Sequence, residues 1–251
     1  IKKELSSIDE LKSLALKWDK EKDAMILLRS NAAKMLSKTD THIPTFIGGC
    51  NHPIVLGAVK SFLSPEKNIT GVTYYINKGT TLRMIKLFVP NMKSVLFIGE
   101  KGHPSSIIEQ NETKELLLNT FNVEYKEIIS DDLNYILKEV AKNKNKVSAI
   151  ILGNQSLLID NAKVITQAAQ NTPVFAYSKG SIENGALAGY VADDVKLGRE
   201  LAKSVYSVLF NHAKIKDTPI KVDKSPVFYV NKTTLDRLKI KLPNRLKNKV
   251  V

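Results

Sequence analysis

Five short polar stretches each follow an apolar run of the kind expected for a buried parallel strand. In open α/β sheets, small ligands collect outside the carboxyl ends of the strands, where loops lead into the N-termini of helices. Asn, Gln, Ser and Tyr recur in these stretches, so they would contact a ligand mainly through hydrogen bonds from uncharged groups. The stretches are Arg29-Ser30-Asn31 after AMILL, 48–52 after PTFI, 100–106 after SVLFIG, Asn154-Gln155-Ser156 after AIILG, and Tyr177-Ser178-Lys179 after PVFA.

Amide and hydroxyl side chains in these stretches are the main candidates for fixing the polar edges of a ligand. Asn31, Asn154 and Gln155 can each donate and accept hydrogen bonds. Ser105 and Ser106 stand where a helix is predicted to begin, so their hydroxyls and the unpaired backbone N–H groups could hold an anion. Serine is also among the best N-cap residues, and a serine pair at this place needs no ligand.

Two further side chains could recognise a ring or a charge. Tyr177 could stack on a planar ligand or lend its hydroxyl, or it could pack at the rim of the sheet. Arg29 could pair with an anionic ligand through its forked guanidinium, or it could make an ordinary surface salt bridge. The residues predicted to line the ligand site are Arg29, Ser30, Asn31, Gly49, Asn51, His52, Ser105, Ser106, Asn154, Gln155, Tyr177 and Ser178.

The sequence lacks the motifs of the common enzyme and metal sites. GEKGHPSS (99–106) superficially resembles a phosphate loop, but the P-loop pattern of Gly-Lys-Ser/Thr after four intervening residues is missing. HExxH, GxSxG and paired-cysteine spacings are also missing. His52 beside Pro53 has no acidic neighbours with which to build a metal site. We therefore predict a protein that is not an enzyme, with no catalytic residue, no cofactor and no metal.

The charge of the chain indicates a solvated surface more than a nucleic-acid partner. The net charge is +13, and it comes almost wholly from lysines dispersed along every segment. A nucleic-acid reader usually concentrates its charge in a stripe rich in arginine and aromatic residues, so we expect no nucleic-acid partner. No apolar run approaches the roughly 18 residues needed to cross a bilayer. No signal peptide stands at Ile1, so an exported protein would carry its targeting signal outside this sequence.

Strand-like and helix-like patterns alternate along the chain. Short apolar runs such as SVLFIG (94–99) are typical of buried parallel strands. Helical spacing recurs between such runs, as in HPIVLGAVKSFL (52–63) and ADDVKLGRELAKSVYSVLF (192–210). The alternation predicts an α/β protein with parallel sheets flanked by helices. A fresh set of units begins at ITGVTYYI (69–76), which predicts two lobes, residues 1–72 with 192–215 and residues 73–191 with 216–251.

Three segments, taken in order, carry a resemblance to a known family. They are NITGVTYY (68–75), the stretch 172–210 that contains ENGALAGYVADDVKLGRELAKS, and DTPIKVDKSPVFYVNKTTLDRLKIKLP (217–243). All three resemble parts of bacterial ABC transporter substrate-binding proteins. The first resembles the hinge of these proteins, and the second resembles their region of strand, loop, strand and long helix. The third resembles their closing strand, turn and short helix. The group in question has the type-I periplasmic-binding fold and includes tryptophan- and tyrosine-binding members. The resemblance runs from about Lys22 to Pro243.

The resemblance implies an extracytoplasmic solute-binding protein, either periplasmic or anchored by lipid at the cell surface. Two hinged lobes would close over a small polar ligand, by default an aromatic amino acid, and present it to a membrane permease. AIILGNQ (149–155) is also similar to a branch in which this fold is the sensor of a membrane receptor, a histidine kinase or a cyclase, with its own transmembrane segment as partner. An α/β enzyme such as a transferase is a third alternative, and it would need an acid, base or metal cluster that the sequence does not show.

The sequence departs from the family pattern in two ways. Family members begin with a strand, a helix and a second strand, whereas this sequence starts in the following helix, so we expect the first lobe to be incomplete at its N-terminus. Amino-acid-binding members carry an acidic residue before a proline that helps to hold the ligand amine, and here Asn51-His52-Pro53 stands in its place. Gln155 likewise occupies a position that is often Asp. Without these carboxylates, a peptide, a nucleobase-like compound or another small polar molecule stays open beside an amino acid.

Overall fold

A computed structural model of the chain describes residues 3–5 and 7–249. In chain order the strands are β1 (Met25–Leu28), β2 (Thr45–Cys50), β3 (Ile69–Thr73), β4 (Ser94–Gly99), β5 (Glu124–Ile129), β6 (Ala149–Leu152), β7 (Val174–Ala176), β8 (Ala188–Val191), β9 (Lys221–Val222) and β10 (Val227–Val230). The α-helices are α1 (Ile8–Glu21), α2 (Arg29–Leu36), α3 (Lys78–Phe88), α4 (Pro104–Asn119), α5 (Leu133–Asn143), α6 (Ser156–Asp160), α7 (Ala162–Ala169), α8 (Lys179–Glu183), α9 (Asp194–Leu209) and α10 (Lys232–Arg237). Short 3-10 helices span Ile215–Asp217 and Asn244–Lys249.

Local side-chain chemistry explains where several of these helices begin. Asp132 accepts a hydrogen bond from Asn134 N at 2.8 Å at the start of α5. Asp193 accepts one from Lys196 N at 3.0 Å at the start of α9. Each of these acidic side chains satisfies a backbone N–H group that has no partner within its helix, and its charge also suits the positive end of the helix dipole. The predicted start of the long helix after residue 192 is thereby confirmed.

The first compact unit contains the described residues up to Tyr75 together with Ala192–Ser225. Its sheet has the order β1-β2-β3-β9, and the strand pairs in it are parallel. Helix α2 packs against β1 and β2, and α9 packs against β2, β3 and β9. Phe46, Ile47 and Ile69 are fully buried in this unit.

Strand β1 lies at the edge of this sheet and has an open apolar face. Met25 and Leu27 are buried, whereas Ile26 and Leu28 are 48% and 59% exposed. A groove of about 1110 Å³ runs beside the strand, between α1 and the residues Val205 and Leu209 of α9. The resemblance predicted an incomplete first lobe, and the described residues leave this side of β1 without a neighbouring strand.

The second compact unit contains Ile76–Val191 and the described residues from Pro226 onward. Its sheet has the order β10-β8-β7-β6-β4-β5, with β10 antiparallel to β8 and the other pairs parallel. Successive residues of β4 point to opposite faces, so that Val95 and Phe97 join one core while Leu96 and Ile98 join another. The sheet is therefore covered on both faces, which confirms the predicted α/β architecture with helix-flanked parallel sheets.

The helix predicted over 52–63 is wrong, since the chain follows a series of turns there. Leu56 N bonds to His52 O, but Gly57 N bonds to Ile54 O, so the regular ladder of a helix does not form. Gly57 has φ of +82°, a left-handed conformation that interrupts a helix. Leu56, Ala58 and Val59 are buried, so an irregular segment that packs against the core imitated helical spacing.

The predicted division into lobes stays a prediction, because compactness does not by itself show which parts of the chain move together. The chain passes from the first unit to the second after Tyr75, returns after Val191, and passes over again after Ser225.

Within the part of the chain that is described, no helix is both long enough and apolar enough to span a membrane.

Candidate functional site

Gln155 ties together the loops that follow β4 and β6 in the second unit. Its Nε2 donates to Glu109 Oε2 at 2.8 Å and to Ser105 Oγ at 3.3 Å. Its Oε1 accepts from Glu100 N at 3.3 Å. Only 1% of the residue is exposed. Gln155 therefore holds two loops in place with both ends of its amide.

Glu109, which the sequence analysis did not single out, lies at the centre of this arrangement. Its Oε2 also accepts from Asn154 N at 2.9 Å. The Lys78 ammonium lies 3.8 Å from Glu109 Oε1, and both side chains are buried, with 4% and 1% of their surfaces exposed. A buried carboxylate needs hydrogen bonds and a compensating charge, and Glu109 has both. The predicted loop residues Ser105, Asn154 and Gln155 thus meet around a buried ion pair.

Tyr177 closes the same cluster from the end of β7. Its hydroxyl lies 3.1 Å from Thr113 Oγ1. The Lys78 Nζ lies 3.8 Å from the centre of its ring, close enough for a cation–π contact. Burial raises the pKa of the Tyr177 hydroxyl well above its ordinary value, and nearby acidic groups act in the same direction. The hydroxyl therefore stays neutral and acts as a hydrogen-bonding group.

Of two further predicted serines of the second unit, Ser178 caps a helix, whereas Ser106 is buried without a hydrogen-bond partner among the described residues. Ser178 Oγ accepts from Ser181 N at 3.2 Å and so caps the short helix α8. Ser106 is buried, and its Oγ points at Gly99, where any larger residue would collide with it. Among the described residues, no hydrogen-bond partner reaches Ser106 Oγ.

In the first unit, the predicted residues Ser30 and Asn51 come together. Asn51 N donates to Ser30 Oγ at 3.1 Å, and Thr73 Oγ1 donates to Asn51 O at 2.5 Å. The His52 ring packs edge-on against Tyr75 with 4.4 Å between the centres, and it also contacts Phe62. These contacts connect the loop after β2 to the end of β3.

Arg29 and Gly49 lie near Tyr74, which was not among the predicted residues. Arg29 is exposed and has φ of +78°, a conformation that is uncommon for a residue with a side chain. Burial and a hydrogen bond with Asp194 raise the pKa of Tyr74 to about 12, while the positive charge of Arg29 acts to lower it. Gly49 lies against the Tyr74 ring. Asn31 is exposed on α2.

A periodic signal in the sequence could have found Glu109. Ser105, Glu109 and Thr113 are spaced by four residues, which places them on one face of α4. All three are buried, so the inward face of this helix is polar where it meets the loops after β6 and β7. Lys78 carries no such signal, because it stands alone at the start of α3.

The polar side chains at the ends of the strands are suited to binding a ligand by hydrogen bonds. Among residues 3–5 and 7–249, no group of three or more His, Cys, Asp or Glu side chains is arranged to hold a metal ion. The thiol of Cys50 is buried, and burial raises its pKa to about 12, so the thiol remains protonated near neutral pH.

Comparison with known proteins identifies the family of this chain. Residues 8–250 match the family described as ABC transporter substrate binding protein. A tyrosine-binding protein from Clostridioides difficile is 23% identical over 222 residues, which cover 87% of this chain and 63% of that protein. The chain therefore spans less than two thirds of the length of this curated relative.

Solved structures with the same fold cover 98% of this chain. A conserved domain protein from Vibrio cholerae has a TM-score of 0.83 at 20% identity, with 83% of its chain covered. The ABC domain in complex with L-Trp from Streptococcus pneumonia has a TM-score of 0.81 at 21% identity, with 86% covered. A ligand-free, open substrate binding protein with adhesive properties from Clostridium difficile has a TM-score of 0.79 at 20% identity, with 83% covered.

These likenesses show the type-I periplasmic-binding fold that the resemblance predicted. Since the family match extends over nearly the whole sequence, the chain belongs to the substrate-binding proteins of ABC transporters.

Proposed function

We propose that this chain is the ligand-binding part of an extracytoplasmic solute-binding protein that delivers a small molecule to the permease of an ABC transporter. The observation that carries the proposal is the network at the carboxyl ends of β4, β6 and β7, in which Ser105, Asn154 and Gln155 surround the buried Glu109. Lys78 connects this group to Tyr177. In an α/β sheet this is the edge at which ligands bind. The network fixes the loops that would contact the ligand, which lowers the entropy cost of binding.

The ligand is a small molecule with a ring and a polar end. A relative of this chain is a tyrosine-binding protein, and a solved structure of the same fold holds L-Trp. The residues predicted in the first unit stay candidates for contact with a ligand; they are Arg29, Ser30, Asn31, Gly49, Asn51 and His52. Transport rather than catalysis fits loops whose polar groups already bond to one another and activate no nucleophile.

A thermal-shift screen against amino acids, their carboxylic-acid and amine analogues and small heterocycles tests this function. A ligand present at 100 times its dissociation constant adds about 2.7 kcal/mol to the free energy of unfolding, which raises the melting temperature measurably. Asn154→Ala should weaken binding of the hit, because it removes an amide side chain proposed to contact the ligand while the backbone bond from Asn154 N to Glu109 is kept. Asn134→Ala, which makes the same change at an exposed position of α5, should leave binding unchanged. If no compound in the screen binds the folded protein, the proposed function is wrong.

Delivery to a permease needs a test in cells. Deleting the gene should abolish high-affinity uptake of the radiolabelled hit, and the Asn134→Ala gene should restore that uptake while the Asn154→Ala gene should not. Unchanged uptake after deletion would contradict a role in transport.

A further inference from the structure

Lys78 and Glu109 are the charged side chains that are buried among the described residues of the second unit. Burying a charge is costly unless it is paired and hydrogen-bonded, so both groups require a physical reason. Glu109 has one, since it accepts hydrogen bonds from Asn154 N and Gln155 Nε2 and so joins α4 to the loop after β6.

Lys78 is less well satisfied than its partner. An ammonium group has three donors. Its neighbours are Glu109 Oε1 at 3.8 Å and the face of Tyr177 at 3.8 Å. None of the hydrogen bonds among the described residues uses Lys78 Nζ as donor. Lys78 Nζ is not one of the fully buried polar atoms that lack a partner among the described residues, so its remaining donors are open to water or to an acceptor that arrives with the ligand.

The carboxylates at these loops already take part in contacts within the protein. Glu100, at the end of β4, accepts a hydrogen bond from Leu157 N at 3.4 Å through its Oε2. Glu109 is engaged by Lys78, by the Gln155 amide and by the Asn154 backbone. A ligand ammonium placed here would meet the positive charge of Lys78, and like charges that are removed from water repel strongly.

We propose that Lys78 receives the carboxylate of the ligand, and that the ligand is a small carboxylic acid without an ammonium group. This rests on the proposed function, because it names the class of solute that the binding protein carries. With the ring of the ligand taken from its relatives, the class is that of aryl-substituted propionic, hydroxy or oxo acids. The face of the Tyr177 ring contacts the Lys78 ammonium. Glu109 pairs with the same ammonium by charge, at a distance too long for a hydrogen bond.

Three probes that share one ring test the class of ligand. They are 3-(4-hydroxyphenyl)propionate, which has only the carboxylate, L-tyrosine, which has both groups, and tyramine, which has only the ammonium. Calorimetry on the wild-type protein should show the propionate binding about tenfold or more tighter than L-tyrosine, and tyramine binding weakest. If L-tyrosine binds as tightly as the propionate or more tightly, the solute-binding function stands and the inference about ligand class is wrong. If none of the three binds, both are overturned for aromatic ligands.

Variants test whether Lys78 itself is the receptor. Lys78→Met would leave Glu109 buried without its partner charge, so it is paired with the double variant Lys78→Met/Glu109→Gln, which leaves no buried charge. The double variant should fold, by circular dichroism, and should lose about 30-fold or more in affinity for the propionate. Lys78→Arg should retain affinity for the propionate, because it keeps the charge. Lys138→Met, at an exposed position of α5, should match the wild type.

A purely structural role for the pair gives a different result. In that case the double variant restores wild-type affinity for the propionate, because it restores a fully neutral interior. Wild-type affinity in the folded double variant would overturn the assignment of Lys78 as the carboxylate receptor.

Discussion

At the scale of single residues, buried polar groups near the ends of β4, β6 and β7 depend on one another for their hydrogen bonds. The Tyr177 hydroxyl lies in the core, and it forms a hydrogen bond with Thr113 Oγ1 at 3.1 Å. Both residues are buried, so neither can turn to water if the other is lost. Polar groups of this kind contribute little net stability as a pair but cost a great deal when one is left alone.

Thr113→Val should therefore lower the free energy of unfolding by about 1–3 kcal/mol, because it leaves the Tyr177 hydroxyl buried without its partner. Urea denaturation followed by circular dichroism measures this. Tyr177→Phe should cost a similar amount, and Thr113→Val/Tyr177→Phe should cost less than the sum of the two single variants. Additive effects would show that the two hydroxyls do not depend on each other.

At the scale of elements, strand β3 depends on a glycine for its place in the sheet. Gly71 has φ of +139°, and a Cβ atom there would collide with the backbone of Ile47 in the adjacent strand β2. The register between the two strands is irregular at this point, between Ile47 and Cys50. The close approach of the two backbones lets β3 end beside Asn51, where Thr73 bonds to the chain.

Gly71→Ala should be strongly destabilising, by about 3 kcal/mol or more, because both the collision and the backbone conformation oppose a side chain. Gly198→Ala is the matched control, since Gly198 lies inside α9 and a Cβ there meets nothing within 4 Å. It should raise the free energy of unfolding by up to about 1 kcal/mol, because alanine favours helices. Thermal denaturation compares the two, and equal effects would contradict this account of the β2 and β3 contact.

At the scale of the whole molecule, Asp223 holds together two segments of the first unit that lie next to the crossings into the second. Its carboxylate accepts hydrogen bonds from Asp193 N at 2.9 Å and Ser225 N at 3.0 Å, and it pairs with the Lys196 ammonium. Although burial raises the pKa of Asp223, the hydrogen bonds from Lys196, Asp193 and Ser225 outweigh it, and the pKa is lowered from its ordinary value of 3.8.

A lowered pKa in the folded state means that the charged carboxylate stabilises the fold at any pH above its unfolded pKa of 3.8, and that this contribution is lost as the pH falls through the folded pKa. The free energy of unfolding should therefore drop below about pH 4. Asp223→Asn should be less stable than the wild type at pH 7 by about 1–3 kcal/mol, and the difference should shrink in acid.

Asp131→Asn, at an exposed position, is the control for loss of one carboxylate. Urea denaturation at pH 7 and pH 3 measures both variants. A difference between Asp223→Asn and the wild type that persists unchanged at pH 3 would show that the charge is not the cause.

The sequence by itself determined the kinds of element and most of their places. SVLFIG forms β4 over 94–99 as predicted, because an apolar run that must be buried on both faces leaves few alternatives. The long helix after residue 192 begins at its acidic cap, because that signal is local. The ordered motifs also indicated the family, which the match over residues 8–250 shows.

Only the tertiary structure decided how polar groups pair. Glu109 is far in sequence from both Lys78 and Asn154, and no spacing along the chain predicts that the three meet. The turns over 52–63 were mistaken for a helix for a related reason, since burial of Leu56 and Val59 depends on what packs against them. Local patterns specify backbone conformation through short-range sterics and hydrogen bonds. The charge balance of a buried site depends on which distant side chains share the same water-free space.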